Sequence, residues 1–239
     1  MREYAERLRM ELKEKSDPAR RESTQRFFKE PVAVYGVKSA DVTKIARQAV
    51  KNLKGRARED IFSLCEELWR SGYLEEGGIA CELAYAGRAA FAPEDLDRFE
   101  RWIEIYVTNW ASCDVLCNHT VAACIEAFPD QVHRLKEWTG SSCRWKRRAA
   151  AVTLIIPARK GLFLADILDI AERLMPDSDD LVQKGYGWML KAASEAHPDA
   201  VFEYLTARRT VMPRTAFRYA LEKFPRERRD EAMGKKRSG

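Results

Sequence analysis

A tryptophan and an aspartate four residues apart, Trp110 and Asp114 in "VTNWASCDVLCNH", have the types and spacing to act together on one group. On a helix the (i, i+4) relation puts indole and carboxylate on one face, within about 6 Å of each other. A second indole, Trp188 in "QKGYGWML", sits beside Gly185 and Gly187, small residues that would leave it open to close approach. Two open indoles flanking one carboxylate make a cage for a cation, because ring faces and anion both attract positive charge. Each residue also has a plainer reading. Tryptophans are more often core filler or packing anchors, and Asp114 suits a helix N-terminal charge or cap, with Ser112 the alternative cap.

The six cysteines, Cys65, Cys81, Cys113, Cys117, Cys124 and Cys143, lie in apolar patterns without a Cys-x-x-Cys pair. Reduced core thiols are expected. Cys113, Cys117 and Cys124 would share one helix face, but no fourth ligand is obvious, so neither a metal nor another cofactor is expected. The net charge of +5 is modest, yet unevenly placed: Arg134 to Lys160 holds eight basic residues against the single acid Glu137, and Arg208 to the end holds eleven against four. Two basic clusters in the C-terminal half suggest a polyanion partner, with nucleic acid the first candidate.

The elements that must position these groups are helices. "ADVTKIARQAVKNL" is apolar at Val42, Ile45, Ala46 and Val50, and "REDIFSLCEELWRSG" at Ile61, Leu64, Cys65 and Leu68. Both patterns have helical period, and no alternating strand pattern occurs. Gly72, Pro93, Pro129, Gly140, Pro157, Pro176, Pro198 and Pro213 punctuate the chain into roughly a dozen helices. The 46% apolar content can build a core. No run is long and apolar enough to span a membrane, and the charged start "MREYAERLRMELKEK" is no signal peptide, so a soluble, cytoplasmic protein is expected, nucleoid-associated when bound to DNA.

"EAFPDQV" at 126–132 returns as "EAHPDAV" at 195–201, and "WKRRAAAVTLI" at 145–155 is echoed by "LVQKGYGWMLK" at 181–191. Half of the 69-residue offset between the first pair fits a two-helix unit. These echoes predict an all-α fold, a HEAT-like helical-repeat superhelix of about six hairpins over residues 1–225, with a basic polar tail over 226–239 that frays after Phe224. Its concave face would carry Lys146, Arg147 and Arg148, then Gln183 and Lys184, then Arg214 and Arg218. Helix-start positions also aim backbone N–H groups at phosphates.

The order Trp110-x-x-x-Asp114, then "WKRRAA" with Arg148, then "QKGYGW" ending in Trp188 resembles the AlkD family of DNA alkylation-repair glycosylases. The resemblance takes in the N-terminal "RFFKEPVAVYGVKSADVTKIAR" and covers most of the chain. It implies a monofunctional glycosylase that excises cationic N3- and N7-alkylated purines from duplex DNA without drawing the base into a recognition pocket. By the same resemblance Asp114 is the catalytic carboxylate, Trp110 and Trp188 are aromatic walls against the deoxyribose, and Arg148 anchors the backbone. The alkylated base already carries positive charge and leaves without a general acid. Only the sugar, turning oxocarbenium-like, needs an anion.

Two positions depart from the family pattern: Phe27 stands where tyrosine is frequent and Lys38 where glutamine is, both on the segment expected to approach the duplex. They bear on the range of lesions more than on catalysis. The alternatives are a non-catalytic HEAT-like DNA-structure-binding protein, against which Asp114 argues, and a protein-interaction scaffold. A monomer acting on double-stranded DNA is the expected state.

Overall fold

Where the sequence shows helical period, the chain is helical. The computed structural model describes residues 1–234. Its helices are α1 (Arg2–Glu14), α2 (Pro18–Gln25), α3 (Ser39–Asn52), α4 (Arg58–Trp69), α5 (Leu74–Ala86), α6 (Asp95–Ile105), α7 (Trp110–Val115), α8 (Ala122–Ala127), α9 (Val132–Trp138), α10 (Arg144–Val152), α11 (Ile155–Arg159), α12 (Leu164–Leu174), α13 (Asp180–Ala196), α14 (Pro198–Ala207), α15 (Arg214–Ala220) and α16 (Arg226–Ala232). No strand occurs among the described residues; an isolated bridge joins Ala33 to Tyr73. No described helix is long and apolar enough to cross a membrane.

The chain forms two compact units, Met1–Cys124 and Ile125–Gly239. In the first, α5 packs on α3, α4 and α7. The stripe on α4 is buried as its spacing predicts, with Leu64, Cys65 and Leu68 fully inside and Ile61 at the margin. On α3 the buried set is Ile45, Ala46 and Ala49, while Val42 and Val50 lie at the edge.

Helix α5 is apolar nearly all round, yet it begins with two buried acids. Glu75 accepts the backbone N–H groups of Tyr35, Gly36 and Val37 at 3.0, 2.8 and 3.1 Å. Glu76 is fully enclosed, accepting the Tyr35 hydroxyl at 2.7 Å and pairing with Arg9 at 3.0 Å. Burial, reinforced by the anion of Glu76, pushes the Tyr35 hydroxyl pKa up. Together these bonds tie the stretch before α3 onto α5, giving buried amides the partners they require.

In the second unit α9 packs on α10 and α12, α10 on α13, and α13 on α12, α14 and α15. The repeated heptapeptides adopt the same local form: Phe128 (φ −130°, ψ 73°) precedes the turn opened by Pro129, and His197 (φ −129°, ψ 61°) precedes α14, opened by Pro198. Pro157 differs from its expected role as a stop. It lies in the first turn of α11, where its missing N–H costs nothing.

The C-terminal segment also differs from expectation. Instead of fraying after Phe224, the chain forms α16, with Ala232 buried, Arg228 paired to Asp199 at 2.7 Å and its guanidinium 5.1 Å from the centre of the Phe202 ring. The buried alanine and this ion pair hold a segment whose composition alone reads as tail. Residues 235–239 of the expected tail lie outside the described residues.

Two stability outcomes follow from this packing. Glu75→Gln replaces one acceptor oxygen by a donor facing buried N–H groups; it should cost about 1–3 kcal/mol in urea unfolding and speed amide hydrogen exchange at residues 35–37. A Cβ at Gly187 would stand 2.7 Å from the Ala216 carbonyl, whereas one at Gly78 would meet nothing within 4 Å. Gly187→Ala should therefore destabilise by about 1–3 kcal/mol, and Gly78→Ala should be neutral or stabilise by up to about 1 kcal/mol. The same unfolding measurement separates them.

Candidate nucleic-acid interface

Helix α7 begins at Trp110 because Asn109 caps it. The buried Asn109 side chain accepts the N–H of Ser112 at 2.9 Å. The cap is thus neither Asp114 nor Ser112, and Asp114 lies one turn beyond Trp110 on the same helix. Its side of the helix is nearly enclosed: Asp114 is 8% exposed. A carboxylate so placed is largely desolvated, so it acts on a nearby positive charge with less screening than a surface acid.

Trp110 is half-buried and fixed from the N-terminal side. Phe28 stacks on it with ring centroids 5.5 Å apart and planes 24° from parallel, and the indole N–H donates to the Phe27 carbonyl at 3.4 Å. The stretch supplying both contacts is stapled by Gln25, whose amide donates to the Glu30 carbonyl at 2.9 Å and accepts from the Val32 N–H at 3.0 Å. Phe27 itself projects outward, 73% exposed, and Lys38, immediately before α3, is exposed as well.

Directly after α7 the helix widens into a π turn over Leu116–Val121. Such turns are rare and gather at functional sites. This one puts Leu116, Cys117 and Val121 into the core, where Cys113 and Cys124 also lie buried.

The second unit holds the remaining candidates. Arg148 is 5% exposed and donates through Nη1 to the Leu181 carbonyl; its stem packs on Gly185, where a Cβ would lie 3.4 Å from Arg148 Cγ. Gly185 and Gly187 do not serve to uncover Trp188, as their place beside it suggests. Gly185 makes room for Arg148 and Gly187 for the backbone of α15, a close helix crossing that only a missing side chain permits. Trp188 itself is half-buried on α13.

The basic clusters are less free than their count implies. Arg147 pairs with Asp177 at 2.6 Å and donates to the carbonyls of Ser141 and Ser142 at 2.9 and 3.1 Å. Gln183 donates to the Asp177 carbonyl at 2.9 Å, Lys184 pairs with Asp180 at 3.2 Å, and Lys160 with Glu126 at 2.6 Å. Lys146 is half-buried and also engaged. The amides at the start of α13 are no open phosphate site either, since Asp179 accepts the N–H groups of Leu181 and Val182 at 2.9 and 3.4 Å. By contrast Arg214 and Arg218 are exposed on α15, and neither is paired with a carboxylate among the described residues.

Sequence reasoning missed Phe28, Asn109, Glu75 and Glu76. For the two acids a signal existed, adjacent carboxylates opening the apolar helix "LEEGGIACELAYA". For Phe28 none did, because its partner lies 82 positions away in the chain.

Among curated proteins none matches the sequence. A solved structure from Enterococcus faecalis, described as a predicted DNA alkylation repair enzyme, superposes with a TM-score of 0.79 over 89% of this chain and 98% of its own, at 16% identity, a likeness of fold. The family model for DNA alkylation repair enzymes matches residues 8–224. With that match spanning nearly its whole length, the chain belongs to the DNA alkylation repair enzyme family.

Proposed function

We propose that this chain is a monofunctional DNA glycosylase that hydrolyses the N-glycosidic bond of cationic N3- and N7-alkylated purines in duplex DNA, without drawing the base into a recognition pocket. The observation that carries the reading is the placing of Asp114: a nearly enclosed carboxylate one helical turn from an indole that Phe28 holds in place. A cationic purine departs as a neutral base with the bonding electron pair. What remains is positive charge on the deoxyribose, and Asp114 stabilises it and orients the attacking water, which delivers hydroxyl to the anomeric carbon and a proton to solvent or carboxylate. Trp110 offers its ring face to the same charge, an attraction of about 0.5 to 2 kcal/mol. In this reading Trp188 is the second aromatic wall and Arg148 the backbone anchor.

The hairpins of the second unit are taken as HEAT-like repeats whose second helices α10, α13 and α15 form a basic row. Within that row Arg214 and Arg218 are the cations available for phosphates, joined by Lys146 and Lys184 if they exchange their present partners. Arg147 and Gln183, both committed to Asp177, shape the row. Lys38 and Phe27 meet the duplex from the first unit, the one by charge, the other by its exposed ring. A non-catalytic DNA-binding role is disfavoured because an enclosed carboxylate weakens affinity for a polyanion unless it takes part in chemistry.

Incubation with duplex DNA containing 7-methylguanine, scored for free base and abasic sites, tests the reading. Asp114→Asn should lower the excision rate about 10²- to 10³-fold, the scale of losing one electrostatic stabiliser, with duplex affinity kept. Excision at wild-type rate by the variant would remove Asp114 from the mechanism. Binding should also weaken steeply with salt, and replacing Arg214 and Arg218 together by alanine should flatten the log–log slope by about 2. An unchanged slope would take α15 out of the interface.

A further inference from the structure

A pocket of about 270 Å³ opens in the first unit, where the turn between α3 and α4 faces the end of α5 and the turn after it. Phe62, Leu83 and Phe91 make its floor, each at most 9% exposed. The floor is rigid: Phe62 meets Phe99 edge-on at 5.9 Å and Phe91 at 6.5 Å, and the Arg98 guanidinium lies 4.7 Å from the Phe62 ring centre. The rim is basic. Lys54 and Arg56 stand exposed on it, neither is paired with a carboxylate among the described residues, and no acid lines the pocket.

Arg58, also at the rim, has a different task. It donates to the Ala90 carbonyl at 3.1 Å and to Asp95 at 3.0 Å, while Asp95 accepts the Ala92 N–H at 2.8 Å. These bonds fasten the start of α4 to the turn beyond α5, so both walls are in place before anything binds. A preformed cleft loses little entropy on filling.

The volume falls just under the roughly 300–1,000 Å³ of small-molecule clefts and suits one bulky side chain. An apolar floor gains from burying a ring or branched chain, and a rim of two uncompensated cations gains from carboxylates beside it. A phosphodiester strand would satisfy the cations and leave the floor empty. We propose that this pocket docks a short acidic segment of a partner protein, with one bulky apolar side chain on Phe62 and Phe91 and adjoining carboxylates on Lys54 and Arg56. None of the residues assigned to excision lines this pocket.

The test is fluorescence anisotropy of the intact protein with a labelled hexapeptide of three aspartates, glycine, leucine and a C-terminal phenylalanine. Saturable binding is expected, weakened at least tenfold by Lys54→Glu with Arg56→Glu, and as much by alanine in place of the peptide's phenylalanine. Ala86→Trp, which fills the mouth and keeps the charges, should weaken it likewise. Thermal melting of each variant with the wild type would make these losses local, and excision of 7-methylguanine should be unchanged. No saturable binding, or binding indifferent to both the charge reversal and the lost phenylalanine, would overturn the proposal. So would a loss on charge reversal alone combined with full competition by a twelve-residue oligothymidylate, which would assign the rim to nucleic acid.

Discussion

The acceptance of three consecutive backbone N–H groups by one buried carboxylate, Glu75, is the constraint on which the first unit's arrangement depends. It fixes residues 35–37 against α5, the helix on which α3, α4 and α7 all pack. Glu76 adds the Tyr35 hydroxyl and Arg9 to the same anchor. A buried anion is unfavourable alone and acceptable when every lone pair has a donor. Here Arg9 comes from α1 and the other donors belong to the segment that leads from Phe27 and Phe28 into α3, so the acid pair ties that segment to α5.

From that anchor a chain of contacts reaches Trp110 at the start of α7. Phe28 holds the Trp110 ring and the Phe27 carbonyl holds its N–H, while the Asn109 cap sets where α7 begins. Trp110 is thus held by its ring and by its N–H, and Asp114 follows one turn along the same capped helix. Fixed dipoles and charges stabilise a developing cation without reorganising at the moment of reaction. On the second unit Arg148 is held as well, by the Leu181 carbonyl and by the space that Gly185 leaves for its stem.

Local features were legible in the sequence, and paired ones were not. The stripe of Leu64, Cys65 and Leu68 was readable because burial on one helix face follows from spacing alone. Pro129 and Pro198 marked equivalent turns because proline fixes its own backbone. Charge was misjudged by position: Arg147 and Asp177 lie 30 residues apart in the chain and 2.6 Å apart in space, so a basic run in one stretch is answered by acids in another. Glycines beside Trp188 looked like clearance for a ligand and proved to be clearance for helices. The order of Trp110, Asp114, Arg148 and Trp188 identified the family correctly, since such a motif states residues and not contacts.

The widened turn at Leu116–Val121 carries one more residue than ordinary winding would need. Chain length there works as a vernier. Leu116 and Cys117 at one end of the turn and Val121 at the other are all buried, and losing one residue between them would change their angular offset by about 100°, so the two ends would not both keep their seats. With Val121 kept in place, α7 would turn together with Leu116 and Cys117 and carry Trp110 and Asp114 away from their present direction, their own identities intact. A variant that kept both residues and lost this surplus one would have the same letters without their aim.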